Sequence, residues 1–147
     1  MAIAERTAET TWEGALASGR GTITGHSGAI DALPVTWAAR TEKPGGLTSP
    51  EELAAAAHSS CFAMALSLTL GEHKLRPDQL QVSATVTLDA VDGVPTIVSS
   101  ALSVRGRVSG VDAATFSSIV DEAAKLCPVS RLFAGTKITV AAELVTA

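Results

Sequence analysis

Apolar positions along the chain change period several times, and each change marks an element. Leu80, Val82, Ala84, Val86 and Leu88 alternate with other residues, the two-residue period of a strand with one buried face. Asp92-Gly93 turns the chain back, and a return strand over about residues 96–108 places Leu102 and Val104 on one face and Arg105 and Arg107 on the other. Phe116, Ile119, Val120, Ala123 and Leu126 then recur at helical spacing after Asp112, a good cap. Pro128 disfavours helical geometry at the residue before it, so Cys127 lies at or near the end of that helix. Residues 137–145 read as a final strand.

The first third of the chain is shorter in period. Residues 7–12 and 21–24 read as two strands around a glycine-containing turn at 15–19, and residues 33–39 as a third. The stretch 41–48, with Lys43, Pro44, Gly45 and Gly46, is a loop. The order of three strands, helix, two strands, helix and strand predicts an α+β fold, a single domain over residues 1–147 with helices on antiparallel sheet.

Between these halves lies an uncharged run from Leu53 to Leu70 with Cys61 at its middle. Its start is well specified. Ser49 can cap, Pro50 suits the first helical position, and Glu52 is in capping-box register, while Gly71 is the expected stop. Alanine and serine dominate, and a helix apolar nearly all round is expected to be a buried central helix. The run is about long enough to span a bilayer, but His58, Ser59 and Ser60 near its middle argue for a core helix and against a membrane partner.

Charge narrows the partners. The chain has 147 residues and a formal net charge of −4, with no cluster of lysine or arginine, so nucleic acid is not an expected partner. The N-terminus shows neither the basic start nor the apolar stretch of a secretory signal, and a cytoplasmic setting is expected. There the two cysteines are better suited to a transient, catalytic disulfide than to a structural one.

Thr48-Ser49-Pro50-Glu51-Glu52-Leu53, Ala56-Ala57-His58, Cys61-Phe62 and Ala65-Leu66-Ser67-Leu68, with Cys127-Pro128-Val129-Ser130 downstream, together resemble the osmotically inducible protein C family of thiol peroxidases. Its relatives include the organic hydroperoxide resistance proteins. The match runs along nearly the whole chain, beginning with Trp12-Glu13-Gly14 and Gly21-Thr22. The resemblance implies a peroxidatic Cys61, a resolving Cys127, an arginine and glutamate partner at Arg40 and Glu51, and an intertwined homodimer with its active sites at the subunit interface. Arg40 matches the arginine of the osmotically inducible branch; Arg20 falls where the hydroperoxide resistance branch carries its own.

The chemistry fits these residues. A thiolate must attack one oxygen of the O–O bond, and an unperturbed cysteine of pKa about 8.5 is only a few per cent thiolate at neutral pH. The helix dipole fades within a turn, whereas Cys61 lies about three turns in, so one arginine in contact is the stronger device. The expected cycle passes from Cys61 sulfenic acid to a Cys61–Cys127 disulfide and is closed by an external dithiol, without metal, flavin or haem. The related branch suggests dihydrolipoyl groups as that dithiol. Phe62, Met64 and Phe133 could line a pocket for the tail of an organic hydroperoxide, or be ordinary core.

Glu51 and Cys61 are ten residues apart on one helix, about 15 Å along its axis and roughly 80° around it. One guanidinium therefore cannot bond both within a chain, and if Arg40 contacts both, the glutamate is expected from the partner subunit. Two other classes compete: a metal-binding protein using His58, Cys61 and Cys127 as ligands, and a non-catalytic homodimeric module that binds a small apolar ligand.

Overall fold

The computed structural model describes residues 1–146, which divide into two compact units, Met1–Leu53 and the chain from Ala54 onward. In the first, β1 (Ala8–Glu13), β2 (Arg20–Gly25) and β3 (Leu33–Val35) form an antiparallel sheet in the order β1-β2-β3. Gly21 is required at its centre. A Cβ there would meet Val35 Cγ2 at 2.8 Å and Trp12 Cε3 at 2.9 Å, closer than carbon atoms approach.

The third strand is shorter than its composition predicts. Thr36 Oγ1 accepts a hydrogen bond from the Ala39 N–H at 3.1 Å and opens a short helix, α1 (Trp37–Thr41). A local side-chain cap thus overrides the strand preference of the Val-Thr-Trp run, and Arg40 lies in a helix rather than after a strand. Further on, Ser49 Oγ accepts from the Glu52 N–H at 3.1 Å, capping α2 (Pro50–Glu72) as expected. The reciprocal half of the capping box is not made: Glu52 Oε1 instead accepts from Thr48 Oγ1 at 2.7 Å.

In the second unit α2 runs through Gly71 and stops where Lys74 takes the left-handed conformation, φ 59°. The Lys74 N–H donates to the Gly71 carbonyl and the Leu75 N–H to the Leu70 carbonyl, the paired bonds of a Schellman ending. Gly71 was the expected stop, but a glycine ends a helix only if it adopts the left-handed turn, and here Lys74 does so. A long hairpin follows, β4 (Pro77–Val91) and β5 (Val94–Val108), joined by Asp92 at φ 52° and Gly93 at φ 78°. Two successive positive φ values form the turn whose twist matches a hairpin.

Asp112 caps α3 (Ala113–Leu126) through its carboxylate, which accepts from the Thr115 N–H at 2.7 Å; that bond holds its pKa below the ordinary value. Pro128 then opens a further short helix, α4 (Pro128–Leu132), that the sequence did not announce. The last strand, β6 (Lys137–Leu144), pairs parallel with β5, Leu102 opposite Val140, in a sheet ordered β4-β5-β6. The expectation of purely antiparallel sheet is corrected here. A helical crossover between two strands of one sheet returns the chain in its original direction.

The core of this unit lies between sheet and helices. Phe62, Leu66 and Leu70 of α2 meet Leu102 and Val104 of β5 and Phe116, Ile119, Val120 and Ala123 of α3, all buried. Cys127, not Leu126, completes the buried stripe of α3; Leu126 is half exposed. The central helix is not buried on all sides. Met64 is 72% exposed and Leu68 62%, so α2 has one packed face and one bare apolar face, with Ala56, Ala57 and Ser60 also exposed.

Candidate active site

The two cysteines are free thiols in contact. Cys61 projects from α2, half-buried, and Cys127 caps the end of α3, fully buried. The Cys127 backbone is extended, φ −62° and ψ 116°, as the residue before a proline must be. That break turns the chain back toward α2, so the Val129 N–H, two residues on, comes near enough to the Cys61 sulfur to act on its pKa. Burial pushes the Cys61 thiol above its ordinary value, the Val129 N–H pulls it down, and the neighbouring Cys127 raises it again. No cation is among the groups acting on the sulfur. This unit therefore brings the thiols together without lowering the Cys61 pKa.

One turn before Cys61, the imidazole of His58 is completely buried and hydrogen-bonded on both sides. Its Nδ1 lies 2.6 Å from Ser100 Oγ on β5 and its Nε2 2.7 Å from Ser130 Oγ on α4. Phe133 packs edge-on against the ring, with centroids 5.2 Å apart. Burial holds the His58 pKa below the usual histidine value, so the ring is neutral, donating from one nitrogen and accepting at the other. With both nitrogens committed to serines, His58 has no lone pair for a metal.

The first unit contains a second set of sequence-selected residues. Glu51 takes Arg40 in a two-pronged bond, Oε1 at 3.0 Å from Nε and 2.6 Å from Nη2. The guanidinium lies 5.8 Å from the ring centroid of Trp37, one turn of α1 earlier. These contacts fix its plane and leave the Nη1 edge uncommitted among the described residues. Beside it opens an apolar cavity of about 420 Å³, walled by Trp12, Leu16, Ile23, Val35 and Trp37 with Arg40 and Pro50 at its lining.

The sequence therefore selected two pairs that the fold assembles, Cys61 with Cys127 and Arg40 with Glu51. Arg20 lies exposed on β2. The residues considered for a tail pocket are distributed otherwise: Phe62 is core, Phe133 packs on His58, and Met64 faces outward. Missed were the serines on His58, the Val129 N–H and the tryptophan-walled cavity. Val129 and Ser130 did stand in the Cys127-Pro128-Val129-Ser130 motif, and the two tryptophans lie in β1 and just after β3.

A long helix with two small three-stranded sheets defines the class as an α+β fold. It superposes on the organic hydroperoxide resistance protein OhrB of Bacillus subtilis with a TM-score of 0.72 and 28% identity, covering 95% of this chain and 98% of that one. An OsmC-like protein of Mycoplasma pneumoniae shares the fold with a TM-score of 0.75 at 15% identity, covering 98% of this chain and 99% of that one. Residues 43–143 match the family model described as OsmC-like protein, and the chain belongs to that family. It is 43% identical to the peroxiredoxin OsmC of Escherichia coli (strain K12) over 82% of this chain and 84% of that protein.

Proposed function

We propose that the chain is a cysteine-based peroxidase that reduces organic hydroperoxides to alcohols, and hydrogen peroxide more weakly, as a homodimer. The contact between the two free thiols carries the reading, because a peroxidatic cysteine needs its resolving partner at hand. The relatives' names, a peroxiredoxin and an organic hydroperoxide resistance protein, support the reaction class.

In the proposed cycle the Cys61 thiolate attacks one oxygen of the hydroperoxide. The O–O bond breaks, the alkoxide leaves and takes a proton, and Cys61 becomes a sulfenic acid. Cys127 sulfur then attacks the Cys61 sulfur; the S–O bond breaks, water leaves, and a disulfide remains. An external dithiol, by analogy with the related branch a dihydrolipoyl group on a protein, restores both thiols in the cytoplasm.

Arg40 is proposed to supply the charge that the thiolate and the departing alkoxide require. Its Nε and Nη2 are held by Glu51 of its own chain, whereas helix periodicity keeps Glu51 about 15 Å along the axis from Cys61 of that chain. The expected combination of Cys61 from one chain with Glu51 from the other is kept, and Arg40 is taken from the chain that supplies Glu51. The Arg40–Glu51 pair travels as a unit and serves the partner's Cys61. The bare apolar face of α2, with Met64 and Leu68, supports a second copy as its cover. The cavity beside Arg40 is then a candidate seat for the substrate's organic tail.

The test is peroxide consumption in metal-free buffer with excess dithiol, an alkyl hydroperoxide and hydrogen peroxide side by side. Turnover that requires Cys61 and favours the alkyl substrate is expected. Absence of turnover with lipoyl and thioredoxin-type dithiols alike would refute the reading.

A further inference from the structure

The proposed cycle leaves one buried titratable group without a task. His58 is completely enclosed, yet it is placed where three elements meet: its own helix α2, β5 through Ser100, and α4 through Ser130. A buried imidazole is costly unless both nitrogens are satisfied, and both are. A simple core position would be filled at less risk by leucine or phenylalanine.

The positions of the partners suggest the reason. His58 and Cys61 are three apart on α2, and Cys127 and Ser130 are three apart across the start of α4. The contacts run His58 to Ser130 and Cys61 to Cys127, two rungs between the same pair of segments. Between them the Val129 N–H reaches the Cys61 sulfur. Among the described residues Ser130 is the α4 side chain hydrogen-bonded to α2, and the approach of the Val129 N–H to the Cys61 sulfur is the weaker tie. The bond at 2.7 Å therefore fixes the register of the segment against Cys61.

Resting on the peroxidase reading only for its consequence in turnover, we propose that His58 is a positioning residue that holds the 127–130 segment, through Ser130, so that Cys127 sulfur stays aligned with Cys61. The bond does not touch substrate or the reacting sulfurs. It raises the effective concentration of Cys127 at Cys61, which favours the intramolecular S–S bond over attack by a second hydroperoxide on the sulfenic acid. The resolving step stays balanced: S–S forms, S–O breaks, and water carries away the Cys127 proton.

Two substitutions separate this role from mere core stability. Ser130→Ala and Ser100→Ala each remove one hydrogen bond from His58 and leave the other, but only the first releases the 127–130 segment. Each purified full-length variant is equilibrated in glutathione redox buffers, and the fraction of Cys61–Cys127 disulfide is read by thiol trapping and mass spectrometry. Ser130→Ala is expected to lower the effective concentration of the pair by about fivefold, the size that one net hydrogen bond supports. Ser100→Ala should leave it within about twofold. His58→Gln, whose amide can donate and accept, should fall between them. Equal effects of the two serine substitutions, or none from Ser130→Ala, would overturn the proposal.

A second readout tests the consequence in turnover. Under excess alkyl hydroperoxide, Ser130→Ala should accumulate Cys61 sulfinic acid faster than Ser100→Ala and wild type. If wild-type Cys61 is not oxidised by the hydroperoxide at all, the peroxidase reading falls, while the glutathione equilibrium still decides the role of His58. A difference in that equilibrium without a difference in sulfinic acid would limit the device to alignment and overturn its protective role.

Discussion

Glu51 bonds Arg40 at both Nε and Nη2, by 3.0 and 2.6 Å, and so fixes the guanidinium with its Nη1 edge turned away from the carboxylate. A cation anchored in this way has little freedom left to lose when it meets an anion. For the role proposed for Arg40 this is useful, because side-chain ordering would be complete before it meets a thiolate.

Arg40→Ala is expected to raise the Cys61 pKa further and to slow oxidation by an alkyl hydroperoxide by at least about tenfold at neutral pH. Burial already pushes that thiol up within its own unit, so the loss of an external cation is not masked. Glu51→Ala should have a smaller effect of the same sign, because it loosens Arg40 without removing it. The pH profile of alkylation by a small haloacetamide reads the pKa directly. A profile unchanged in Arg40→Ala but displaced in Arg20→Ala would transfer the role to Arg20.

The two cysteines should fail differently. Cys61→Ser is expected to abolish peroxide reduction, whereas Cys127→Ser should complete one turnover and then stall as a sulfenic or more oxidised species. Mass spectrometry after one equivalent of hydroperoxide separates these outcomes. A Cys61→Ser protein that consumed the first equivalent at the wild-type rate would reverse the assignment.

Much of the fold was legible because its signals are local. The alternation from Leu80 to Leu88 and the Asp92-Gly93 turn specify the hairpin, and Asp112 and Ser49 cap the helices that follow them. What escaped depends on competition or on distance. Thr36 captures the Ala39 N–H and turns expected strand into α1, and Lys74 rather than Gly71 takes the left-handed turn. The parallel pairing of β6 follows from the path of α3, which no local pattern encodes. At the site, the cysteines, Glu51, His58 and Ser130 stand in motifs, but Ser100 and Ser130 are 42 and 72 residues from His58, and no local pattern encodes that they meet it.

His58 also makes stability depend on pH. Its folded pKa is held below the ordinary 6.5 by burial, so the unfolded chain takes up a proton that the folded protein refuses. The stabilisation is fully present above the unfolded pKa and is lost as pH falls below about 6.5 toward the folded value. Urea unfolding of wild type and His58→Gln at pH about 7.5 and about 5.5 isolates this contribution from His26 and His73. The wild type should lose more stability between those pH values than the variant. Equal losses would mean that His58 titrates as freely when folded as when unfolded.

The proposed shared site makes the most demanding prediction, because Arg40 can serve Cys61 within one chain only against two observations. Arg40 is bound by its own Glu51, and helix periodicity keeps Glu51 about 15 Å along the axis from its own Cys61. In the proposed dimer a complete site takes Cys61 from one chain and the Arg40–Glu51 pair from the other. Cys61→Ser and Arg40→Ala homodimers are each defective at both sites. A heterodimer of the two has one site with both defects and one with neither. Refolding the variants together should therefore recover activity approaching one intact site per heterodimer, while each alone stays inactive or slow. Met64→Asp, placed on the exposed face of α2, should weaken the dimer on a sizing column and lower activity in proportion to the monomer formed. A fully active monomer, or no recovery despite proven heterodimers, would defeat the shared site.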